Sequence, residues 1–396
     1  MIAPQPIGYT IKETAFWKIV ILLGATSVFI FANLYSFQPI LPVLAKEFNV
    51  SSTYISLTFS FSIIGMIIGL NIFGSLSDRL GRKNFILLSL FLSSLLLVLI
   101  ASTNSLPFIL VLRFFQGMVT GALPASALAY LNEEIDKQDQ KFAIAFYIAA
   151  NAVGGSLGRV MSGVITHYYS WHTALYIFGA LGLITATIML FLLPKSNNFS
   201  PNKGSILSTF SGIGFHLKNP VLRRYFLIGL IIQLAYTGIW TYLPFHLSGA
   251  PFFLSTGAIS SFFLALMLGI PSAPIVSLLT NRFKLSFVLI SMLILLGLGT
   301  LLTIFNNLLL ITIGLALLSF AMFAAHSLAA ALINLHAESY KGTASSLYFV
   351  AYYIGVAIGS TLFAPIWHVF GWYAVVGIAS ALPISYAIAL KLMDDQ

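Results

Sequence analysis

The chain has 396 residues, of which 59% are hydrophobic and 7% charged, and its 19 Lys and Arg against 10 Asp and Glu give a formal net charge of +9. Soluble domains of this length do not carry so few charges, so the composition predicts a membrane protein. There is no cysteine, which excludes disulfides, thiolate metal sites and cysteine nucleophiles. The basic residues are spread over many short loops, so they read as topology signals and exclude a nucleic-acid-binding patch.

The first apolar run, Phe16 to Phe37, is longer than the hydrophobic part of a signal peptide. It meets Gln38-Pro39 and Pro42 without a small-residue cleavage site, so it is read as a retained membrane span. Crossing a bilayer takes about 20 apolar residues. Twelve stretches qualify: 16–44, 52–76, 84–103, 106–130, 140–166, 171–193, 222–247, 254–279, 285–304, 307–336, 342–369 and 371–391. The connections are short except for the polar stretch Pro194 to Pro220. That linker, 194–220, separates an N-terminal six-helix bundle, 1–193, from a C-terminal one, 221–396. Within it Ile206, Phe210, Ile213 and Leu217 fall at roughly helical spacing, which suits a surface helix or a loose loop. The predicted fold class is an all-α membrane protein of twelve transmembrane helices in two six-helix bundles. With both termini cytoplasmic, Lys46 alone of the Lys and Arg lies outside, and Arg113 and Arg159 lie within spans. The positive-inside rule supports that orientation.

The two halves read as repeats. Lys141, Tyr147, Gly158, His167 and Trp171 around span 5 match Lys341, Tyr348, Gly359, His368 and Trp372 around span 11 in order and spacing. A duplicated six-helix unit is the architecture of parallel-repeat transporters, whose site lies between the halves near the midplane.

A charged run, Gly74-Ser-Leu-Ser-Asp78-Arg79-Leu-Gly81-Arg82-Lys83, joins spans 2 and 3. Gly74 lets two helices approach closely, and Gly81 permits a tight reversal. Asp78 suits the positive N-terminus of a neighbouring helix, and Arg82 suits an acid at another helix end. The spacing resembles the signature loop between helices 2 and 3 of the major facilitator superfamily. The resemblance implies that Gly74, Asp78, Arg79, Gly81 and Arg82 form a latch between the two halves on the cytoplasmic side. The alternative is a plain positive-inside anchor. Thr280 to Lys284 is a worn copy of the run that lacks its aspartate and glycine.

Ionisable groups inside a bilayer are costly, about 2.5–3.5 kcal/mol for a central Arg on insertion scales. All ten Asp and Glu fall at span ends or in loops. Arg113 in span 4 and Arg159 in span 5 do sit inside, at similar depth. They point either to an anion-attracting outer cavity or to arginines satisfied by helix carbonyls. Asn33, Tyr35 and Gln38 near span 1, Gln233 and Tyr236 in span 7, and Tyr348 and Tyr352 in span 11 can line a substrate pocket. Helix packing is the other reading of those tyrosines. His326 in span 10 is the titratable group best placed within the membrane, as a proton carrier or as a core histidine.

Arg113-Phe-Phe-Gln116-Gly117 resembles the superfamily's Arg-x-x-Gln-Gly motif of span 4, whose arginine is linked to proton handling in proton-coupled exporters. Gly154 to Gly163 aligns with the exporters' span 5 motif, with Arg159 in place of its proline. Phe31-Ala-Asn33-Leu-Tyr35, Phe323-Ala-Ala-His326-Ser327, Lys341-Gly-Thr-Ala-Ser345 and Trp367-His368-x-x-Gly371-Trp372 resemble the YnfM-type branch of drug:proton antiporters and sugar-efflux-like proteins. The resemblance implies a bacterial inner-membrane transporter working by alternating access, with proton-coupled efflux of a small organic solute. The alternative is an organic-anion uniporter, exchanger or symporter using Arg113 and Arg159. No metal cluster, phosphate-binding glycine loop or nucleophile–base pair stands out, so the chain is not read as an enzyme. Nothing calls for a cofactor, and uphill transport would draw on a proton gradient. The expected partners are a small-molecule substrate, protons and the lipid bilayer, with no nucleic acid, and the protein is expected to be a monomer.

Overall fold

Inside a bilayer every backbone polar group must be satisfied within the protein, which restricts this chain to helices. The computed structural model describes residues 8–199, 214–337 and 341–394. Among them the one strand-like pairing is a parallel bridge between Tyr9 and Ile135. Residues 206–213 of the expected surface helix lie outside the described residues, whereas Leu217 falls in a helical turn over 214–218.

Among the described residues, eleven helices are long and apolar enough to cross a membrane. The last, Lys341–Asp394, is two helices joined at Gly371, where φ is +70°. Twelve spans result, numbered in chain order: Thr14–Tyr35, Ser52–Leu80, Arg82–Ala101, Leu106–Glu134, Gln140–Tyr168, Trp171–Leu192, Pro220–Ser248, Thr256–Thr280, Leu285–Leu302, Leu308–His336, 341–370 and 372–394. The sequence places the end of span 1 at 44. The structure ends its helix at Tyr35 and continues through a 3-10 turn, Gln38–Ile40, into a short helix, Leu41–Glu47. Pro39 has no N–H to carry the first helix onward. Span 8 likewise contains a 3-10 stretch, Phe262–Gly269.

Span starts are written in the sequence. The Asn219 side chain accepts from the N–H groups of Val221 and Leu222, with Pro220 in the first turn, and Asn307 does the same for Leu309 and Leu310. Ser170 caps span 6 through Thr173 N–H at 3.0 Å. Such caps satisfy donors that helix starts leave open.

The chain forms two compact units. The first comprises Met1–Phe37 and Phe61–Gly204, the second Gln38–Ser60 and Ser205–Gln396. In the first, Phe16, Ile19, Leu23, Ile86, Leu123, Tyr130 and Met189 build one continuous core. Spans 2 and 4 meet along four glycines. A Cβ on Gly65, Gly69 or Gly117 would stand 2.0, 1.8 or 1.7 Å from the carbonyl oxygen of Phe114, Met118 or Ser62, and one on Gly121 2.6 Å from that of Met66. Backbone therefore packs directly on backbone, as small residues allow in membranes.

Each unit repeats one further seam. In the first, Gly154 and Gly158 of span 5 press on the backbone of Val28 and Ala32 in span 1. In the second, Gly355 and Gly359 of span 11 press on Leu230 and Leu234 of span 7. The second unit also holds the short stretch Gln38–Ser60 by hydroxyl bonds. Tyr242 donates to Ser56 Oγ at 3.3 Å, and Ser60 Oγ lies 2.7 Å from Ser360 Oγ.

Candidate functional site

In the first unit Arg113 is completely enclosed. Span 1 stops at Tyr35, so the Leu34 carbonyl falls among the last four of that helix and has no partner within it. Arg113 Nη2 reaches this carbonyl and Ser62 Oγ, each at 2.9 Å, while Nη1 donates to Gln116 Oε1. The guanidinium carbon stands 4.2 Å from the centre of the Phe37 ring. Gln116 Nε2 passes the link on to Ser93 O at 3.3 Å. The Arg113–Gln116 pair thus ties spans 1, 2, 3 and 4 together at one level.

Arg159 is buried in a different setting. Its Nη1 donates to Gly155 O at 2.6 Å, one turn back on the same helix. Its guanidinium carbon lies 3.9 Å from the centre of the Tyr35 ring, a cation–π arrangement. A Cβ on Gly155 would come within 3.3 Å of Arg159 Nη1 and 3.4 Å of the Tyr35 ring. Asn33 sits two residues before Tyr35 and faces another way. Its Nδ2 points toward Ser94 Oγ at 3.4 Å, and its buried Oδ1 accepts no hydrogen bond among the described residues. Arg159 and Tyr35 therefore share a place, and Asn33 does not join them.

In the second unit His326 Nδ1 and the Tyr348 hydroxyl are hydrogen-bonded at 2.9 Å. The Tyr352 ring lies 4.7 Å from the imidazole centroid. Gly229 makes room for Tyr348, since a Cβ there would stand 2.6 Å from its ring. One turn along span 7, Gln233 Oε1 accepts from Thr237 Oγ1 at 3.1 Å. Tyr236 meets Trp240 edge-on with ring centres 6.1 Å apart. Gln38 lies in this unit too, its Nε2 3.4 Å from Thr241 Oγ1.

The charged run between spans 2 and 3 centres on Arg82. Gly81 takes a φ of +103°, which a glycine adopts without strain. The reversal brings Arg82 onto Glu133 at the end of span 4. Its Nε and Nη2 donate to Glu133 Oε1 at 3.0 and 2.9 Å, and its Nη1 donates to Ser77 Oγ at 3.0 Å and to Asp78. Gly74 packs by Ala125, and Arg79 is exposed. The start of the linker closes over this cluster. Asn198 N donates to Glu134 Oε1 at 2.9 Å, Asn198 Nδ2 to Glu133 O at 3.0 Å, and the Phe199 ring lies 5.6 Å from the Arg82 guanidinium carbon. Beside it the chain start lies along the turn after span 4, with Tyr9 N donating to Glu134 O at 2.8 Å and Asp136 N to Tyr9 O at 3.0 Å.

The sequence profile of the Major Facilitator Superfamily matches residues 23–360. The chain belongs to the Major Facilitator Superfamily. It is a multi-pass membrane transporter of small solutes and not an enzyme. This facilitator is 32% identical to the inner membrane transport protein YnfM of Escherichia coli, over 98% of this chain and 92% of that one. It is 28% identical to the 4-hydroxybenzoate transporter PcaK of Pseudomonas aeruginosa, over 42% of this chain and 38% of that one. Its fold matches the solved nucleoside transporter NupG with a TM-score of 0.78, at 13% identity, over 95% of this chain and 99% of that one.

The facilitator contains one aromatic group that reading the sequence passed over. Trp240 is almost fully buried, 1% exposed, and stacks on Phe263 of span 8 with ring centres 4.9 Å apart. The signal was in the pattern: Gly229, Gln233, Tyr236 and Trp240 recur at i, i+4, i+7 and i+11, one face of a helix.

Proposed function

We propose that this facilitator is a secondary transporter of small organic anions in a bacterial inner membrane, working as a monomer with both termini in the cytoplasm. The bundles 1–193 and 221–396, joined by the linker 194–220, are its rocking bodies. Alternating access follows from opening toward one face at a time. The observation that carries the anion reading is Arg159, a guanidinium buried in mid-span and cushioned on the face of Tyr35. A fixed buried cation favours a negative solute, and a guanidinium offers a planar fork for a carboxylate. The partial similarity to a 4-hydroxybenzoate transporter supports a carboxylate cargo. Gly74, Asp78, Arg79, Gly81 and Arg82 are the latch in this reading. In the first unit Tyr35 and Arg159 are the candidate substrate contacts; the second unit, taken by itself, offers Gln233, Tyr236, His326, Tyr348 and Tyr352. Arg113 holds the end of span 1 through the Leu34 carbonyl, and Asn33, Gln38 and Arg113 are further candidate contacts in this reading.

A second reading, proton-coupled efflux, has its own support. Arg113 and Gln116 are paired within the Arg-x-x-Gln-Gly motif, and His326 shares a hydrogen bond with Tyr348. An imidazole so placed is equipped to take up a proton in one conformational state. The two readings combine when the anion leaves against proton influx.

Inverted membrane vesicles carrying a pH-sensitive dye test both. Collapse of an imposed pH gradient on adding carboxylates, lost in Arg113→Ala, establishes proton antiport. Uptake of labelled carboxylates with no pH response retains the anion reading and removes coupling. Neither flux nor pH response to any carboxylate overturns both.

A further inference from the structure

Trp240 carries a buried donor with no acceptor. Its indole N–H is enclosed and makes no hydrogen bond among the described residues. Other indoles of this chain behave differently: Trp17 donates to Ile11 O at 2.9 Å and Trp372 to Thr303 O at 2.8 Å. Leaving a buried donor unmatched is costly, so such a group calls for a partner. The surroundings indicate which kind. Phe263 lies nearly parallel to the indole at 4.9 Å with an interplanar angle of 29°, and Tyr236 presents itself edge-on at 65°.

The same face of span 7 carries Gln233 and Gly229. Glycines flank it, Gly229 opposite the Tyr348 ring and Gly355 opposite the Gln233 side chain. The face is therefore built of flat rings and an amide, with Tyr348 and span 11 packed closely on it at the two glycines. Rings that offer their faces and edges recognise another planar ring.

We propose that Trp240, with Phe263 and Tyr236, forms a subsite in the second unit for a planar aromatic group bearing a hydrogen-bond acceptor, which the indole N–H takes. The class covers aromatic acids, amides and ketones. The subsite rests on the reading of the chain as a transporter of organic solutes. It needs a ring and an acceptor and no charge, so it is independent of Arg159.

The test uses the full chain in lipid nanodiscs, with benzoate, benzamide and cyclohexanecarboxamide as probes. Benzamide is expected to bind at least about tenfold more tightly than its saturated counterpart. Trp240→Phe keeps the ring and removes the donor, and should weaken benzamide about tenfold, the scale of one hydrogen bond. Phe263→Leu should shrink the preference for the aromatic over the saturated amide. With indole nitrogens labelled, the Trp240 resonance, assigned by its loss in Trp240→Phe, should shift on adding benzamide. Arg159→Gln separates this proposal from the anion reading. It should weaken benzoate at least about tenfold more than it weakens benzamide, whereas loss of the Trp240 effect with the Arg159 effect intact sinks the subsite alone. Equal binding of the two amides, an unmoved indole resonance, or no binding of either aromatic probe overturns the proposal. Should Trp240→Phe fail to fold, Phe263→Leu and the wild-type resonance decide the matter.

Discussion

Arg159 and Tyr35 meet face to face, with the guanidinium carbon 3.9 Å from the ring centre, and Gly155 is the residue that leaves room for both. A cation–π pair of this kind contributes about 0.5–2 kcal/mol, more when desolvated. Tyr35→Phe keeps a ring and should retain carboxylate uptake within about threefold. Tyr35→Leu removes it and should cost about tenfold, equivalent to ~1.4 kcal/mol. Arg159→Lys keeps the charge but not the planar fork, and should fall between Arg159→Gln and wild type. Competition of unlabelled carboxylates against a labelled one measures all four. Equal inhibition constants across the series would remove Arg159 from the substrate path.

Arg82 and Glu133 join the turn after span 2 to the end of span 4. Both side chains are largely buried, so removing one leaves the other charge poorly compensated. A double-mutant cycle on Arg82→Gln and Glu133→Gln should give a coupling of about 1–3 kcal/mol in thermal unfolding. Asn198→Ala should reduce that coupling, because Asn198 holds the backbone of Glu133 and the carboxylate of Glu134. A coupling near zero in the wild-type background would show that the cluster is only an anchor.

The Gly65–Gly69 and Gly117–Gly121 seam admits no side chain. Gly117→Val must drive spans 2 and 4 apart, and should cost at least ~3 kcal/mol, beyond ordinary overpacking. Gly377 is the control. Nothing lies within 4 Å of where its Cβ would be, and Gly377→Ala should be neutral or stabilising by about 0.5–1 kcal/mol, the helix preference of alanine over glycine. Melting curves in detergent compare the two.

The chain start makes its own prediction. A Cβ on Gly8 would stand 2.6 Å from the backbone of Ile135 and Asp136. Gly8→Val should therefore displace the segment around Tyr9, and the amides of Tyr9 and Asp136, which pair across it, should exchange with solvent faster. Unchanged exchange at both positions would mean that the segment holds without these bonds.

Twelve spans and the sharp turn at Gly81 were legible because they rest on local signals: apolar length and a glycine. The structure supplied what depends on three dimensions. Arg82 was expected to meet an acid at another helix end, but Glu133, Glu134 and Asp136 lie so close together that only the fold selects Glu133. Asn33 and Tyr35 read as one polar patch, yet two residues along a helix turn side chains about 200° apart. Arg113 stood out as a buried charge, while its bond to the Leu34 carbonyl depends on where span 1 stops, which the sequence placed nine residues late. Trp240 was missed because a tryptophan in an apolar span looks like packing until its N–H is seen to lack a partner among the described residues.

Gly371 separates spans 11 and 12 with a single residue, at a φ of +70° that other residues adopt only under strain. So short a joint has no slack. A tilt of span 11 cannot be absorbed in a loop and must appear as a swing of span 12, in the manner of a bell crank. Since Trp372, the first residue past the joint, is fastened to the Thr303 carbonyl at the end of span 9, span 9 receives the same motion. A probe on the periphery at span 9 or span 12 would therefore report, without touching the interior, each stroke that span 11 makes.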